Sequence, residues 1–372
     1  MRSEILSTFC VLLAAAALTS AGIAAASGPP EQPAGTAPGF EIQKLAEGVY
    51  AAVRTDPPGL MVDGNCVFLV NGEDVVVVDA PESTRDLIPF LRSLTPKPVR
   101  FVVNTHWHDD HITGNAVYRK AYPGVEFIGH AALRDYLPTA GAKNRKAMVE
   151  GAPGFMAYIR SQMEQGKSLT GDPITEEERA SYESDGRLVD RYLAEVPHSE
   201  VVLPTVAVED RLTLYRGGRK IEILHLGRSH TAGDLVVFLP EERIAVVGDL
   251  IVWPVPLVGA EQSHVAEWGA TLEKMLALNP SIIVPGHGPV LRSGDYARQM
   301  IQLFSSVTDQ VKAAVARGET LEAARRSVDL KRQKGLFAGD SKVRAFLFDQ
   351  YVAGPAVASA YSDLAPHPPV SR

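Results

Sequence analysis

The stretch Asn104-Thr105-His106-Trp107-His108-Asp109-Asp110-His111 restricts the possible folds of this chain more than any other. Three imidazoles and the carboxylate of Asp110 fall within the six positions from His106 to His111, directly after the apolar run Phe101-Val102-Val103. Imidazole nitrogen and carboxylate oxygen are ligands that zinc accepts when thiolate is absent. In α/β folds such clusters belong at the carboxyl ends of strands. The chain therefore needs a sheet in which the strand Arg100 to Asn104 delivers this cluster to one edge. A polar loop with fortuitous histidines is the bland alternative, and the recurrence of matching residues further along argues against it.

Three later residues complete the set. His230 lies in Gly227-Arg228-Ser229-His230-Thr231-Ala232-Gly233-Asp234, between two strand-like runs. Asp249 ends the apolar strand Val246-Val247-Gly248-Asp249, and His287 follows a strand in Val284-Pro285-Gly286-His287-Gly288. One rim of a sheet sandwich could collect them all. His106, His108 and His230 make a first zinc site, Asp110, His111 and His287 a second, and Asp249 could bridge the two ions. Zinc lowers the pKa of bound water, and a pair of ions can hold the resulting hydroxide, polarise a carbonyl and receive a leaving group. Asp110 is read as the catalytic residue, ligating and also orienting that hydroxide. The glycines beside His230 and His287 let the backbone turn without a Cβ penalty.

The rest of the chain sets the frame. With 372 residues, 45% of them hydrophobic, it can bury one large domain plus extensions. A net charge of −7 without a basic stripe gives a nucleic-acid partner little support, so the expected partner is a small-molecule substrate. Its two cysteines, Cys10 and Cys66, are too few for a disulfide framework or a thiolate zinc site. Residues 1–26 read as a signal peptide: Arg2 precedes an apolar run, and Ala24 and Ala26 offer a cleavage site. The positive flank is thin because Glu4 cancels Arg2, and a retained membrane anchor is the alternative. Export would place the enzyme in the periplasm or outside the cell. Residues 27–39, rich in Pro, Gly and Ala, read as a disordered linker.

Past the linker, strand-like runs cover Glu41 to Val53, Cys66 to Asn71 (with Asn71-Gly72 as a turn) and Val75 to Asp79. Pro81 and Glu82 open a helix to Leu94, and Ile112 to Tyr122 reads helical. Residues 131–199 form a helical insertion, whose Met148, Phe155, Met156, Tyr158, Ile159 and Met163 either pack on the body or line the site. Strands return at Val201 to Leu203, Arg211 to Tyr215, Lys220 to Leu226, Asp234 to Leu239 and Arg243 to Val247. A helix from Val265 to Leu278 and a strand from Ser281 to Val284 follow. Residues 40–295 make the main domain, and 296–372 a helical extension that ends in Pro-rich disorder from Pro366.

This arrangement resembles the metallo-β-lactamase superfamily. Its landmark segments occur in order: Val76-Val77-Val78-Asp79, His106-x-His108-x-Asp110-His111, the His230 loop, Gly248-Asp249 and Pro285-Gly286-His287-Gly288. The resemblance implies an αββα sandwich of the α/β class with a dinuclear zinc site at one edge, and hydrolysis of a strained or activated acyl bond. It also implies that Asp79 lies beside the site without being a ligand. His111 stands where the best-known broad-spectrum lactamases carry arginine, and Asp249 looks like the bridge of the lactonases and generic hydrolases of the superfamily. The expected activity is therefore that of an exported dizinc hydrolase of a lactone, ester or β-lactam. The same scaffold carries one iron in the persulfide dioxygenases, which is the alternative. Trp253 and His264, in the loop after Asp249, are candidate substrate contacts. Trp107 and His225 read as packed side chains.

Overall fold

The computed structural model describes residues 35–259 and 262–365. The signal segment, the linker up to residue 34 and the Pro-rich end from Pro366 lie outside the described residues.

The described residues form two sheets. The first contains β1 (Gly35–Ala37), β2 (Phe40–Ala46), β3 (Val49–Arg54), β4 (Cys66–Val70), β5 (Val75–Val78), β6 (Val99–Val103), β7 (Glu126–His130) and β8 (Val206–Val208), neighbours in space as in sequence. Strands β1 to β5 pair antiparallel and β5 to β8 parallel. The second contains β9 (Arg211–Arg216), β10 (Arg219–Leu224), β11 (Val236–Leu239), β12 (Ile244–Val252) and β13 (Ile282–His287), again in sequential order. Only the β12–β13 pair in it is parallel.

Side-chain alternation builds three layers of core. Val76 and Val78 of β5 point between the sheets, where they share a cluster with Val103, Val237, Val246 and Val284. Val75 and Val77 point outward, against Leu87 and Leu91 of α1 (Thr84–Leu94). A strand buried on both faces needs apolar residues at every position, which is why β5 reads as an unbroken valine run. After β6 come α2 (Asp109–Ile112) and α3 (Asn115–Ala121); Tyr118 of α3 joins the outer layer.

Between β7 and β8 the chain runs through α4 (Leu133–Tyr136), α5 (Ala142–Glu164) and α6 (Glu176–Glu195). Thr175 and Glu178 start α6 with a reciprocal capping box. The apolar face of α5 closes mainly on α6: Met156 and Ile159 are buried with Tyr182 and Val189, and touch the body at Met61. Tyr158 is exposed. The insertion thus has a small core of its own rather than lying wholly on the body.

On the second sheet lie α7 (Val265–Ala277), α8 (Asp295–Ala316), α9 (Leu321–Ser327), α10 (Lys331–Ala338), α11 (Lys342–Phe348) and α12 (Gly354–Leu364). Trp268 of α7 stacks on Phe304 of α8 with ring centroids 4.6 Å apart. These helices and the outer face of β10 to β13 form one cluster, which completes an αββα sandwich. The helices from residue 295 onward are therefore part of the main core.

The structure departs from the sequence reading at several places. Gly35–Ala37, assigned to the linker, pairs with β2 as an edge strand. Val201 to Leu203 is not a strand; Pro204 has no N–H to give a ladder, and pairing with β7 begins at Val206. The helix expected over Ile112 to Tyr122 is split into α2 and α3 at Thr113-Gly114. Finally, β12 continues to Val252 and carries Asp249 inside it, while His287 is the last residue of β13. Gly248 explains the first of these: its φ of +52° goes with a register break against β13, so the strand bends at the site and then resumes.

Candidate metal centre

All seven expected ligands meet at one edge of the sandwich, in two groups. One holds His106, His108, His230 and Asp249; the other holds Asp110, His111 and His287. In the first group His230 Nε2 lies 2.9 Å from His108 Nδ1. In the second, His111 Nε2 is 3.3 Å from His287 Nε2, and Asp110 Oδ2 is 3.1 Å from His287 Nε2. Asp249 faces both. Its Oδ2 is 3.8 Å from His106 Nε2 and 3.4 Å from His230 Nε2, while its Oδ1 is 3.2 Å from His111 Nε2 and 3.3 Å from His287 Nε2.

The outer nitrogens of four rings are already engaged. His106 Nδ1 meets Thr105 Oγ1 at 3.1 Å, and His111 Nδ1 meets Asp79 Oδ2 at 2.9 Å. His230 Nδ1 meets the Leu257 carbonyl at 2.9 Å, and His108 Nε2 meets Gln262 Oε1 at 3.3 Å. A ring that donates its outer N–H turns a lone pair inward, which is the state a metal needs. Asp79 confirms its place beside the site: at φ +62° it accepts from the Thr105 N–H and Oγ1 as well as from His111. It supports the centre from behind, through the outer nitrogen of His111, and belongs to neither group of ligands.

Close backbone approach makes the cradle. A Cβ on Gly286 would fall 1.9 Å from Asp249 Oδ1, and one on Gly248 would fall 2.3 Å from Thr105 Oγ1. The first would push β13 off β12 at Asp249, and the second would push β12 off the ligand loop. Asn65 Nδ2 donates to the carbonyls of Pro285 and Gly288, pinning the His287 turn to β4. Asp234 accepts from the Thr231 N–H and from the hydroxyls of Ser229 and Thr231, closing the His230 loop.

The electrostatics favour a cation. Burial would raise the carboxyl of Asp249, but His287, His111 and His106 outweigh it and hold the pKa well below the usual range. Asp110 is held low in the same way, chiefly by His111 against burial. Burial lowers His287, yet Asp249 and Asp110 lift it to about 9. His230, dominated by burial, drops to about 3. Without a metal the His287 side therefore holds protons, which a bound cation displaces. His106 Nε2 and Asp249 Oδ1 are both buried without an aligned hydrogen-bond partner. Orphaned atoms of this kind, facing converging imidazoles and two carboxylates, fit a bound metal cation.

The two candidate substrate contacts fare differently. Trp253 lines a cavity of about 70 Å³ together with His287, Gly288, Met61, Leu188 and Arg54, so it does stand beside the centre. His264 does not point there: its Nδ1 is 3.1 Å from Asp363 Oδ1 on α12, and its N–H donates to the Ser229 carbonyl. It ties α12 to the His230 loop. Trp107 is buried and stacks on Tyr136, and His225 Nδ1 meets the Asp234 carbonyl at 3.0 Å, both as packing residues. Gln262 and the partners of Asp109 (Arg145 and Tyr192) carry no signal in the sequence, because they reach the ligand loop from distant segments.

A family model described as the metallo-beta-lactamase superfamily matches residues 61–287. A linear primary-alkylsulfatase from Pseudomonas sp. is 24% identical over 243 residues, 62% of this chain and 42% of that protein. A metallo-beta-lactamase type 2 from Bacillus sp. is 35% identical over 78 residues, 20% of this chain and 30% of that protein. The matched region thus spans less than half the length of either relative. Among solved structures, a metallo-beta-lactamase from Pontibacter korlensis superposes with a TM-score of 0.50 at 18% identity, covering 72% of this chain and 99% of that one. At that identity the likeness concerns the fold.

Proposed function

The chain belongs to the metallo-β-lactamase superfamily, and on that footing we propose that it is a dizinc hydrolase of small esters, lactones or sulfate esters. The observation that carries the reading is Asp249, with one carboxylate oxygen toward each group of ligands. Two zinc ions in this centre would lower the pKa of water toward neutrality and act as Lewis acid on the scissile group.

The chain's own residues divide the remaining work. His106, His108 and His230 would hold one ion, and Asp110, His111 and His287 the other, with Asp249 between them. Asp249 is 2% exposed and Asp110 15%, so Asp110 is the carboxylate that meets water and substrate. Its Oδ2, 3.1 Å from His287 Nε2, would be the ligating oxygen, and from that place the carboxylate would also orient the attacking water. Asp79 and the Leu257 carbonyl keep His111 and His230 in the ligating tautomer. Trp253 and Leu188 supply an apolar side to the cavity at His287, which Arg54, Asp56 and Asp63 also line. The buried negative charge of Asp249 disfavours an anionic amide leaving group. Esters and lactones, whose alkoxide departs more readily, suit the centre better than β-lactams. The likeness to an alkylsulfatase supports including sulfate esters.

Elemental analysis of the purified protein, followed by assays on an aryl ester, a lactone, an alkyl sulfate and nitrocefin, tests this reading. About two zinc per chain with turnover of an ester, lactone or sulfate ester is expected. Stoichiometric iron with oxygen consumption, or a preference for nitrocefin over every other substrate, would refute it.

The N-terminal apolar run further supports action outside the cytoplasm. Periplasmic protein is expected to begin near Ser27 by mass spectrometry. An intact Met1 in the membrane fraction would instead mean a retained anchor.

A further inference from the structure

We infer that the helical insertion sets the metal affinity of the centre through Asp109, whose carboxylate Arg145 and Tyr192 hold in place. This rests on the reading that zinc loads at the site. Asp109 stands between His108, a residue of the first ligand group, and Asp110, a residue of the second. Its own carboxylate belongs to neither. Arg145 of α5 donates from Nε to both oxygens, at 3.1 and 3.2 Å, and from its terminal nitrogen to Oδ1. Tyr192 of α6 donates its hydroxyl to Oδ2 at 2.8 Å.

These contacts are sheltered. The side chains of Arg145 and Asp109 are 17% and 14% exposed, so the pair escapes most of the screening that makes surface ion pairs weak. A guanidinium fork on a carboxylate also fixes direction, which a single contact does not. The backbone carries that direction to the ligands. Asp109 opens the one-turn helix α2, the His111 N–H donates to the His108 carbonyl, and Thr113 caps the Asp109 carbonyl through its N–H and hydroxyl. Holding the Asp109 side chain therefore also restrains the backbone that carries His108 and Asp110. Arg145 and Tyr192 act as positioning residues that reach both groups through one residue.

Charge and position predict opposite signs, which makes the inference decidable. If Arg145 acted only as a nearby positive charge, its removal would tighten cation binding. If it positions the loop, removal weakens binding. Zinc titration of the metal-free protein against a competing chelator reads the affinity without any assay of turnover. Arg145→Gln is expected to weaken zinc binding by about tenfold or more, within the range that supporting contacts of metal ligands carry. Arg145→Lys should recover part of the loss. Tyr192→Phe, which leaves the charge and removes one hydroxyl, should weaken binding by less. Combining Arg145→Gln with Asp109→Asn should cost no more than the larger single effect, because both break the same contact. Unchanged or tighter zinc binding in Arg145→Gln and Tyr192→Phe, whatever happens to the melting temperature of the metal-free protein, overturns the inference and leaves the contact as an anchor for the insertion. Wild-type protein that binds no zinc overturns the metal reading itself, and this inference with it.

Discussion

Changing His108 to alanine is expected to lower kcat/KM on the best substrate by about a thousandfold or more and to cut the zinc content toward one per chain. Loss of a metal-held Lewis acid removes several kcal/mol of transition-state stabilisation, and each 1.36 kcal/mol is tenfold in rate. His108 presents Nδ1 to the first group, 2.9 Å from His230 Nε2, and its Nε2 is already steadied by Gln262. Its removal leaves only two histidines and the shared Asp249 to hold the first ion. The fold should survive, because His108 is only half-buried at the rim while the sandwich clusters are built from apolar strand and helix residues. Elemental analysis, a circular-dichroism melt of the metal-free protein and a metal-replete assay check the three parts separately. Near-wild-type turnover in that assay would remove His108 from the ligand set.

The ligands were legible in the sequence because most follow a strand-like apolar run, in a short motif whose spacing is local. His106 to His111 span less than two turns of chain, and the strands that deliver them are valine runs that need no partner to be recognised. Asp79 was legible for the same reason, following directly on β5. What escaped was tertiary. Arg145 and Tyr192 reach Asp109 across 36 and 83 positions, and His264 pairs with Asp363 across 99. No periodicity marks such contacts, so His264 read as a substrate contact when its ring serves α12. The Gly/Pro-rich stretch before residue 40 misled in the opposite direction. Its composition argues against strand, yet Gly35–Ala37 finds an open edge at β2, and a free edge accepts nearly any sequence that can extend. Asp249 was found, but not the bend that aims it. That bend depends on Gly248 adopting φ +52° under Thr105, a contact between two sheets rather than between neighbours in sequence.

Replacing Asp249 by alanine is expected to empty the second site more than the first. The first group retains three histidines, whose outer nitrogens are held by Thr105, Gln262 and Leu257, whereas the second keeps Asp110, His111 and His287 without the oxygen that lies 3.2–3.3 Å from both of its rings. A carboxylate between two cations also offsets their mutual repulsion, so its loss should make binding of the second ion the harder step. Zinc titration of metal-free Asp249→Ala should then show one tight equivalent, and a second weakened beyond the roughly 10–100-fold that loss of a supporting contact costs. Turnover should fall with the second equivalent. Gly286→Ala separates position from charge, because it keeps the carboxylate while placing a Cβ 1.9 Å from Asp249 Oδ1 and 2.8 Å from the Gly248 carbonyl carbon. The oxygen that must move is the one facing His111 and His287, so this variant should also lose the second equivalent first. If Asp249→Ala retained both ions at wild-type affinity, the carboxylate would not be a bridge. If Gly286→Ala retained both while Asp249→Ala did not, charge rather than the placement of Oδ1 would be what holds the second ion.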